Sequence, residues 1–336
     1  MGYERKFMLL AAALIAMIAP SAASASHTTG ARNATLLVSG LEGATGSAIG
    51  PDGALYVTEG AAGRISRVDP QTGDITTFAS GLPKTIPGIG IGGAIDVAFI
   101  GQTAYVLVTL VSPDVGGSDV DGIYRVDGPD SFTVVADIGA FNLANPPTLP
   151  FPFFVPTGVQ YALQTNRGGF LVTDGHLNRV LRVTRDGEVS VFIAFGDVIP
   201  TGLAVWGNTV YMAEAGPVPH LPENGKVVAL RPKSPTASEV ASGAPLLVDV
   251  EFGRGRLLYA LSQGPGVVGA PPGSPAQPNS GALVKVNADG TLSVVVDGLN
   301  LPTSLEFIGN TAYIVTLTGE IWRVDDVSGP PFGVSR

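Results

Sequence analysis

The chain has 336 residues, including 45 glycines, 27 prolines and no cysteine; 45% are hydrophobic, 14% charged, and the formal net charge is −9. This is a turn-rich globular composition, long enough to bury a large core without covalent staples. It excludes disulfides and thiolate chemistry, and an acidic balance without a basic cluster excludes nucleic acid as a partner.

Residues 1–25 have the outline of a secretory signal peptide: Arg5 and Lys6, a 13-residue apolar run over 7–19, Pro20, then small residues at Ala23-Ser24-Ala25. The run is too short to span a bilayer, which takes about 20 residues. Residues 26–336 are therefore expected as one domain, secreted or periplasmic/extracellular, with no stable membrane anchor.

From there the chain repeats. Apolar anchors recur at Ala54-Leu55-Tyr56-Val57, Ala104-Tyr105-Val106-Leu107, Phe170-Leu171-Val172-Thr173, Val210-Tyr211-Met212-Ala213, Leu258-Tyr259-Ala260-Leu261 and Ala312-Tyr313-Ile314-Val315. They step by 49, 66, 40, 48 and 54 residues. Each precedes a second apolar segment, such as Ile65-Ser66-Arg67-Val68-Asp69 or Ile321-Trp322-Arg323-Val324-Asp325. A period of roughly 40 to 50 residues written in strands predicts an all-β, six-bladed β-propeller. Each repeat reads as four strands, a to d. Strand a is expected to begin near Gly46, Asp96, Gly158, Gly202, Asp249 and Ser304. The sixth repeat lacks a strand d, whereas Ala34-Thr35-Leu36-Leu37-Val38-Ser39 resembles one. The N-terminal strand is thus expected to complete the last blade and remove two sheet edges.

The long connections, residues 83–93, 109–122, 138–156, 215–225 and 263–280, all fall between strands d and a or b and c. Those two connections share one face of a propeller. Long loops on a rigid scaffold are where binding usually lives, so a small molecule or protein partner is expected at this loop-rich face.

Three segments resemble NHL-type propellers: Val38-Ser39-Gly40-Leu41, the stretch from Gly50-Pro51-Asp52-Gly53 to Thr58-Glu59, and Arg64-Ile65-Ser66-Arg67-Val68. More narrowly, Gly50-Pro51-Asp52-Gly53-Ala54-Leu55-Tyr56-Val57, Ile95-Asp96-Val97-Ala98-Phe99, Pro200-Thr201-Gly202-Leu203-Ala204 and Pro302-Thr303-Ser304-Leu305-Glu306-Phe307 resemble the ScyD/ScyE family of exported propellers. The resemblance spans residues 34–327. It implies a secreted six-bladed propeller linked to biosynthesis of an extracellular pigment, and it transfers no catalytic residue.

Chemistry is marked most by acids. Strand b ends at Glu59, Asp174 and Glu214 in three blades, with Val108, Ser262 and Thr316 at the matching positions. Asp96 and Asp249 begin strand a, with Glu251 and Glu306 two residues further in than Asp249 and Ser304 and Gln160 read at the matching place in the third blade. Oxygen ligands converging on an axis suit Ca²⁺, so Glu59, Asp96, Asp174, Glu214 and Asp249 are the candidate metal set; without a cation, crowded carboxylates share protons. His176 and His220, in b-to-c loops, join them as candidate binding residues or general bases. The basic residues Arg67, Arg125, Arg182, Lys285 and Arg323 recur on strand c and read as structural. The chain lacks a Gly-x-Ser-x-Gly elbow and a His-Glu-x-x-His segment. Two functions remain: a secreted binding or accessory protein with no required cofactor, or a Ca-type metal-dependent hydrolase or lyase of the lactonase kind.

Overall fold

The computed structural model describes residues 34–148, 155–231, 234–270 and 274–328; the expected signal segment, residues 1–25, lies outside them. The described chain forms six four-stranded antiparallel sheets, each ordered a-b-c-d, in a six-bladed β-propeller. The six a strands, Ala44–Ile49, Gly93–Ile100, Gln160–Asn166, Pro200–Trp206, Leu247–Phe252 and Pro302–Ile308, surround the central axis. The b strands are apolar without alternation because both sheet faces pack against neighbouring blades. Leu55–Glu59 and Leu258–Ser262 are buried at every position. The outermost strands return to half-exposure, as in Ile75–Ser80.

The core is divided among the blade interfaces. One cluster joins Tyr56 and Ile65 of blade 1 to Val97 and Val106 of blade 2. Others join Tyr105 to Phe170, Leu171 to Met212, Ala213 to Ala260, and Tyr259 to Ile314. The last joins Tyr313 and Val315 of blade 6 to Leu55 and Val57 of blade 1, with Val38 from the N-terminal strand. That strand, Thr35–Val38, pairs antiparallel with Ile321–Val324, so the ring is closed by the two ends of the described chain.

The five long connections lie on one face, as their places in the strand order require. One of them, between blades 2 and 3, contains a helix that the sequence pattern did not announce, α1 (Ile138–Ala144), capped by Asp137, whose carboxylate accepts from the Ala140 N–H at 2.7 Å. A second difference concerns register. Strand a of blade 3 does not begin near Gly158, just after Pro156-Thr157. That strand is Gln160–Asn166, and Gln160 pairs with Asp174 where Pro200 pairs with Glu214 in blade 4. Four extra residues lie before the strand. Gly158 is one of them: at φ +82° it passes so close to Asp174 that a Cβ would sit 2.1 Å from its Oδ2. Among the described residues no helix is long and apolar enough to cross a membrane.

Closure by Thr35–Val38 predicts a strong effect of removing it. Deleting residues 34–40 exposes the edge of Ile321–Val324 and uncovers the Tyr313 cluster. The expected result, read by circular dichroism melting and size exclusion, is loss of soluble, cooperatively melting protein; a deletion that melts as the parent does contradicts the closure.

Candidate functional site

The five expected metal ligands separate into two groups. Glu59, Asp174 and Glu214 end strand b, and the register sets each opposite a basic residue that begins strand c: Arg64, Arg179 and Lys226. Glu59 is fully buried and takes a bidentate bond from Arg64, Nε to Oε1 at 2.8 Å and Nη2 to Oε2 at 2.7 Å. The Glu42 N–H and the Ser66 hydroxyl also donate to it. Burial pushes its pKa up, but these bonds outweigh burial and hold the carboxyl below the usual range.

Asp174 is embedded in a different network. The N–H groups of Val159 and Leu177 donate to Oδ1, and Asn142 of α1 donates to Oδ2 at 2.7 Å. Arg179 turns to the helix, donating to the Asn142 side chain at 2.6 Å and the Asn145 carbonyl at 2.7 Å. Burial dominates and raises the Asp174 pKa.

Glu214, 5% exposed, has only a distant attraction to Lys226, whose ammonium is bound to Glu239 at 2.7 Å. Burial lifts its pKa to about 7. These three acids act within their own blades. Among the described residues no group of three or more His, Cys, Asp or Glu side chains is placed to hold a metal ion.

Asp96 and Asp249 are brought together. They occupy the same level of strand a in blades 2 and 5, facing each other across the axis. Their settings match. Asp96 accepts from its neighbour Val97 N–H at 2.8 Å and from Leu163 N–H of blade 3 at 2.7 Å. Asp249 accepts from Val250 N–H at 2.8 Å and from Leu305 N–H of blade 6 at 2.7 Å. Each leans against a glycine of the preceding blade, Gly46 or Gly202, where a Cβ would lie 2.3 Å from the carboxylate oxygen. Two residues further along strand a, Glu251 and Glu306 enter the same space.

That space is an axial chamber of about 260 Å³. Its lining runs from the Asp96 and Asp249 level to Ile49, Phe99 and Thr165, next to the short a-to-b turns. Among the described residues no Lys, Arg or His lines it. The four carboxyl groups are densely surrounded by wall atoms, and their remaining exposure is to the lumen. Desolvation therefore pushes all four pKa values up, Asp249 to about 7 and Glu251 to about 8. Asp96 and Glu306 also rise well above the usual range, first by desolvation and then by repulsion from the other acids.

Tyr161 blocks the chamber from the loop-rich face. It projects from blade 3, and its hydroxyl donates across the axis to the Thr303 carbonyl of blade 6 at 3.0 Å. Only a 30 Å³ void remains around Thr45, Ile95, Tyr161 and Thr303. Asp96 and Asp249 border both spaces, whereas Glu251 and Glu306 line only the chamber toward the short turns, opposite to the expected face.

The histidines do not line the chamber. His176 is enclosed in its b-to-c loop, and burial drops its pKa to about 4, so it is neutral at physiological pH. His220 braces its own loop, its Nδ1 lying 2.8 Å from the Gly216 carbonyl. The recurrent basic residues are structural: Arg67, Arg125 and Arg323 pair with Asp52, Asp127 and Asp325, and Arg182 stacks 4.9 Å from the Phe192 ring centre.

Sequence reasoning passed over Tyr161 and Gln164 because the blade 3 register was read four residues early. Counting back from the turn at Arg167-Gly168 would have placed Tyr161 at the Ile95 level and Gln164 at the Glu251 level.

The sequence matches no family model and no curated protein. Its structure is similar to that of the PQQ-bound aldose sugar dehydrogenase from Streptomyces coelicolor, at 15% identity and a TM-score of 0.58 over 86% of this chain and 96% of that one. It is also similar to a gluconolactonase from Xanthomonas campestris, at 12% identity and 0.59 over 86% and 88% of the two chains. A virginiamycin B lyase from Staphylococcus aureus aligns at 14% identity and 0.51 over 87% and 97%. At these identities the likeness is one of fold: this is a propeller of the architecture that carries lactonase, lyase and dehydrogenase sites in those proteins.

The buried acids set a pH dependence. A carboxyl whose pKa is higher folded than unfolded binds its proton more tightly in the fold. Stability therefore falls as pH rises from the ordinary carboxylate range near 4 to about 8. Glu214 alone accounts for about 3 kcal/mol across its window, from 4.5 to about 7. The melting temperature is expected to drop between pH 5 and pH 8, and Glu214→Gln to recover part of the loss at pH 8 while changing little at pH 5. A flat profile over that interval contradicts the assignment.

Proposed function

We propose that the protein is a secreted propeller of the ScyD/ScyE kind that acts as a binding or accessory protein, with its small-molecule site in the axial chamber. The observation that carries this reading is the chamber itself: four carboxyl groups, unmatched by a basic side chain, open on one space of about 260 Å³. That is close to the lower size of ordinary ligand pockets, roughly 300 Å³. Desolvating acids without a countercharge is costly, and a fold that keeps four of them around a cavity supports a ligand that compensates them. The signal-like segment at residues 1–25 supports export.

One observation favours an enzyme as the second reading. Asp249 and Glu251 retain protons near neutrality, which is what a general acid needs. The gluconolactonase and lyase among the structural neighbours lend this reading its reaction classes, hydrolysis or elimination. Calcium would have to be held by carboxylates at two levels of the lumen, and the described side chains do not assemble such a set; no step is assigned to it.

Metal analysis and thermal melting of the purified protein separate the two. The binding reading predicts no stoichiometric divalent ion and a melting temperature unchanged by Ca²⁺ or EDTA. A resident ion present at a hundred times its Kd would instead stabilise by about 2.7 kcal/mol. A stoichiometric ion lost in Asp96→Asn, together with lactone hydrolysis, would establish the enzyme.

A further inference from the structure

The lumen also indicates which ligand it takes, an inference that rests on the chamber being the site. The acids lie at two levels. Asp96 and Asp249 occupy the upper one, and Glu251 and Glu306 lie two residues along strand a. At the ordinary rise of a strand the levels are roughly 6 to 7 Å apart.

The two levels differ in how they are satisfied. Both oxygens of Asp96 and of Asp249 already accept backbone N–H groups. Glu251 accepts one, from Phe252 at 2.7 Å on Oε1, leaving Oε2 toward the chamber. Glu306 receives none, and its side chain is partly open to the chamber it lines. A half-buried carboxyl with no donor, facing a cavity, is a group for which the protein supplies one half of an interaction.

The remaining lining is also short of donors. Ser47 and Ser304 are engaged with each other at 2.8 Å, Gln164 gives an amide N–H to the Thr165 carbonyl at 3.3 Å, and the Tyr161 hydroxyl, beyond the inner end, is committed to Thr303. What is missing is positive charge carrying several N–H donors at two points along the axis. A bare ion fits poorly, since no three acids converge and the cavity far exceeds one ion.

We propose that the axial chamber binds a short aliphatic diamine end-on, one ammonium group between Glu251 and Glu306 and the other between Asp96 and Asp249, with Tyr161 closing the inner end. Entry is from the short-turn face. The charged and titratable groups facing the ligand are Asp96, Asp249, Glu251 and Glu306, so binding expels protons from the acids and strengthens as pH rises from 5 to 8.

Calorimetric titration of the full protein at pH 8 with 1,4-diaminobutane, 1-aminobutane, 1,4-butanediol and CaCl₂ tests this. The diamine is expected to bind one to one, roughly tenfold or more tighter than the monoamine, because each end adds a charge-assisted contact. Glu306→Gln should reduce diamine affinity to the monoamine's, and Asp289→Asn, in a c-to-d turn outside the chamber lining, should change nothing. Should Glu306→Gln fail to fold, Ala48→Lys places an ammonium at the Glu251 level and should abolish diamine binding while raising the melting temperature at pH 8. Equal affinity for the diol, or Glu306-dependent binding of CaCl₂ alone, overturns the diamine but leaves the chamber as the site. If none of the four probes binds in a way that Glu306→Gln, Asp249→Asn or Ala48→Lys alters, both the diamine and the chamber reading fall.

Discussion

A propeller has no hub; its blades hold one another by their faces, and the arrangement is stable only if the last blade meets the first. Here that requirement falls on four residues, Thr35–Val38, which supply the outer strand of blade 6. Without them the cluster around Tyr313, Val315, Leu55 and Val57 has an open side. With them, six interfaces of similar construction bury almost every b-strand residue, and the six a strands are fixed around an axis narrow enough for a tyrosine to cross it. The rigidity of the lumen, and hence the retention inside it of acids without a countercharge, follows from closure.

The acids show how position on one strand pattern decides chemistry. At the end of strand b an acid faces the start of strand c, where Arg64, Arg179 or Lys226 stands across the ladder. Of these only Glu59 and Arg64 close into an ion pair that ties the loop-face edge, while Asp174 is held by Asn142 and backbone N–H groups. At the third and fifth levels of strand a there is no cross-strand base, only the lumen. The same residue types are therefore structural at Glu59 and Asp174 and available to a ligand at Glu251 and Glu306. Asp96 and Asp249 share both roles, each stapling two blades through a backbone N–H while presenting its oxygens to the axis.

The fold was legible in the sequence because its signal is repeated: six anchors, six partner strands, and a stray strand at the start where the last repeat falls short. The strand-b acids were aligned correctly for the same reason, since Glu59, Asp174 and Glu214 end equivalent strands. What was not legible lay where repetition misleads. Pro156-Thr157 copies Pro200-Thr201 but sits in a loop ahead of Gln160–Asn166, which hid Tyr161 and Gln164. Helix α1 was hidden in a long connection because seven residues carry too little periodicity to announce themselves. The end of the channel at which the acids open was invisible too, because it depends on one side chain spanning opposite blades.

The central claim is that acids on the axis remain protonated near neutrality because no basic side chain in the wall compensates them. Infrared difference spectroscopy across a pH titration reads this directly through the carbonyl band of a protonated carboxyl group. At pH 7 that band should be present, diminish in Glu251→Gln and further in Glu251→Gln/Glu306→Gln, and decline as pH passes about 8, the value to which Glu251 is raised. A protein with no protonated carboxyl band at pH 7, or a band unchanged in the double variant, contradicts the account.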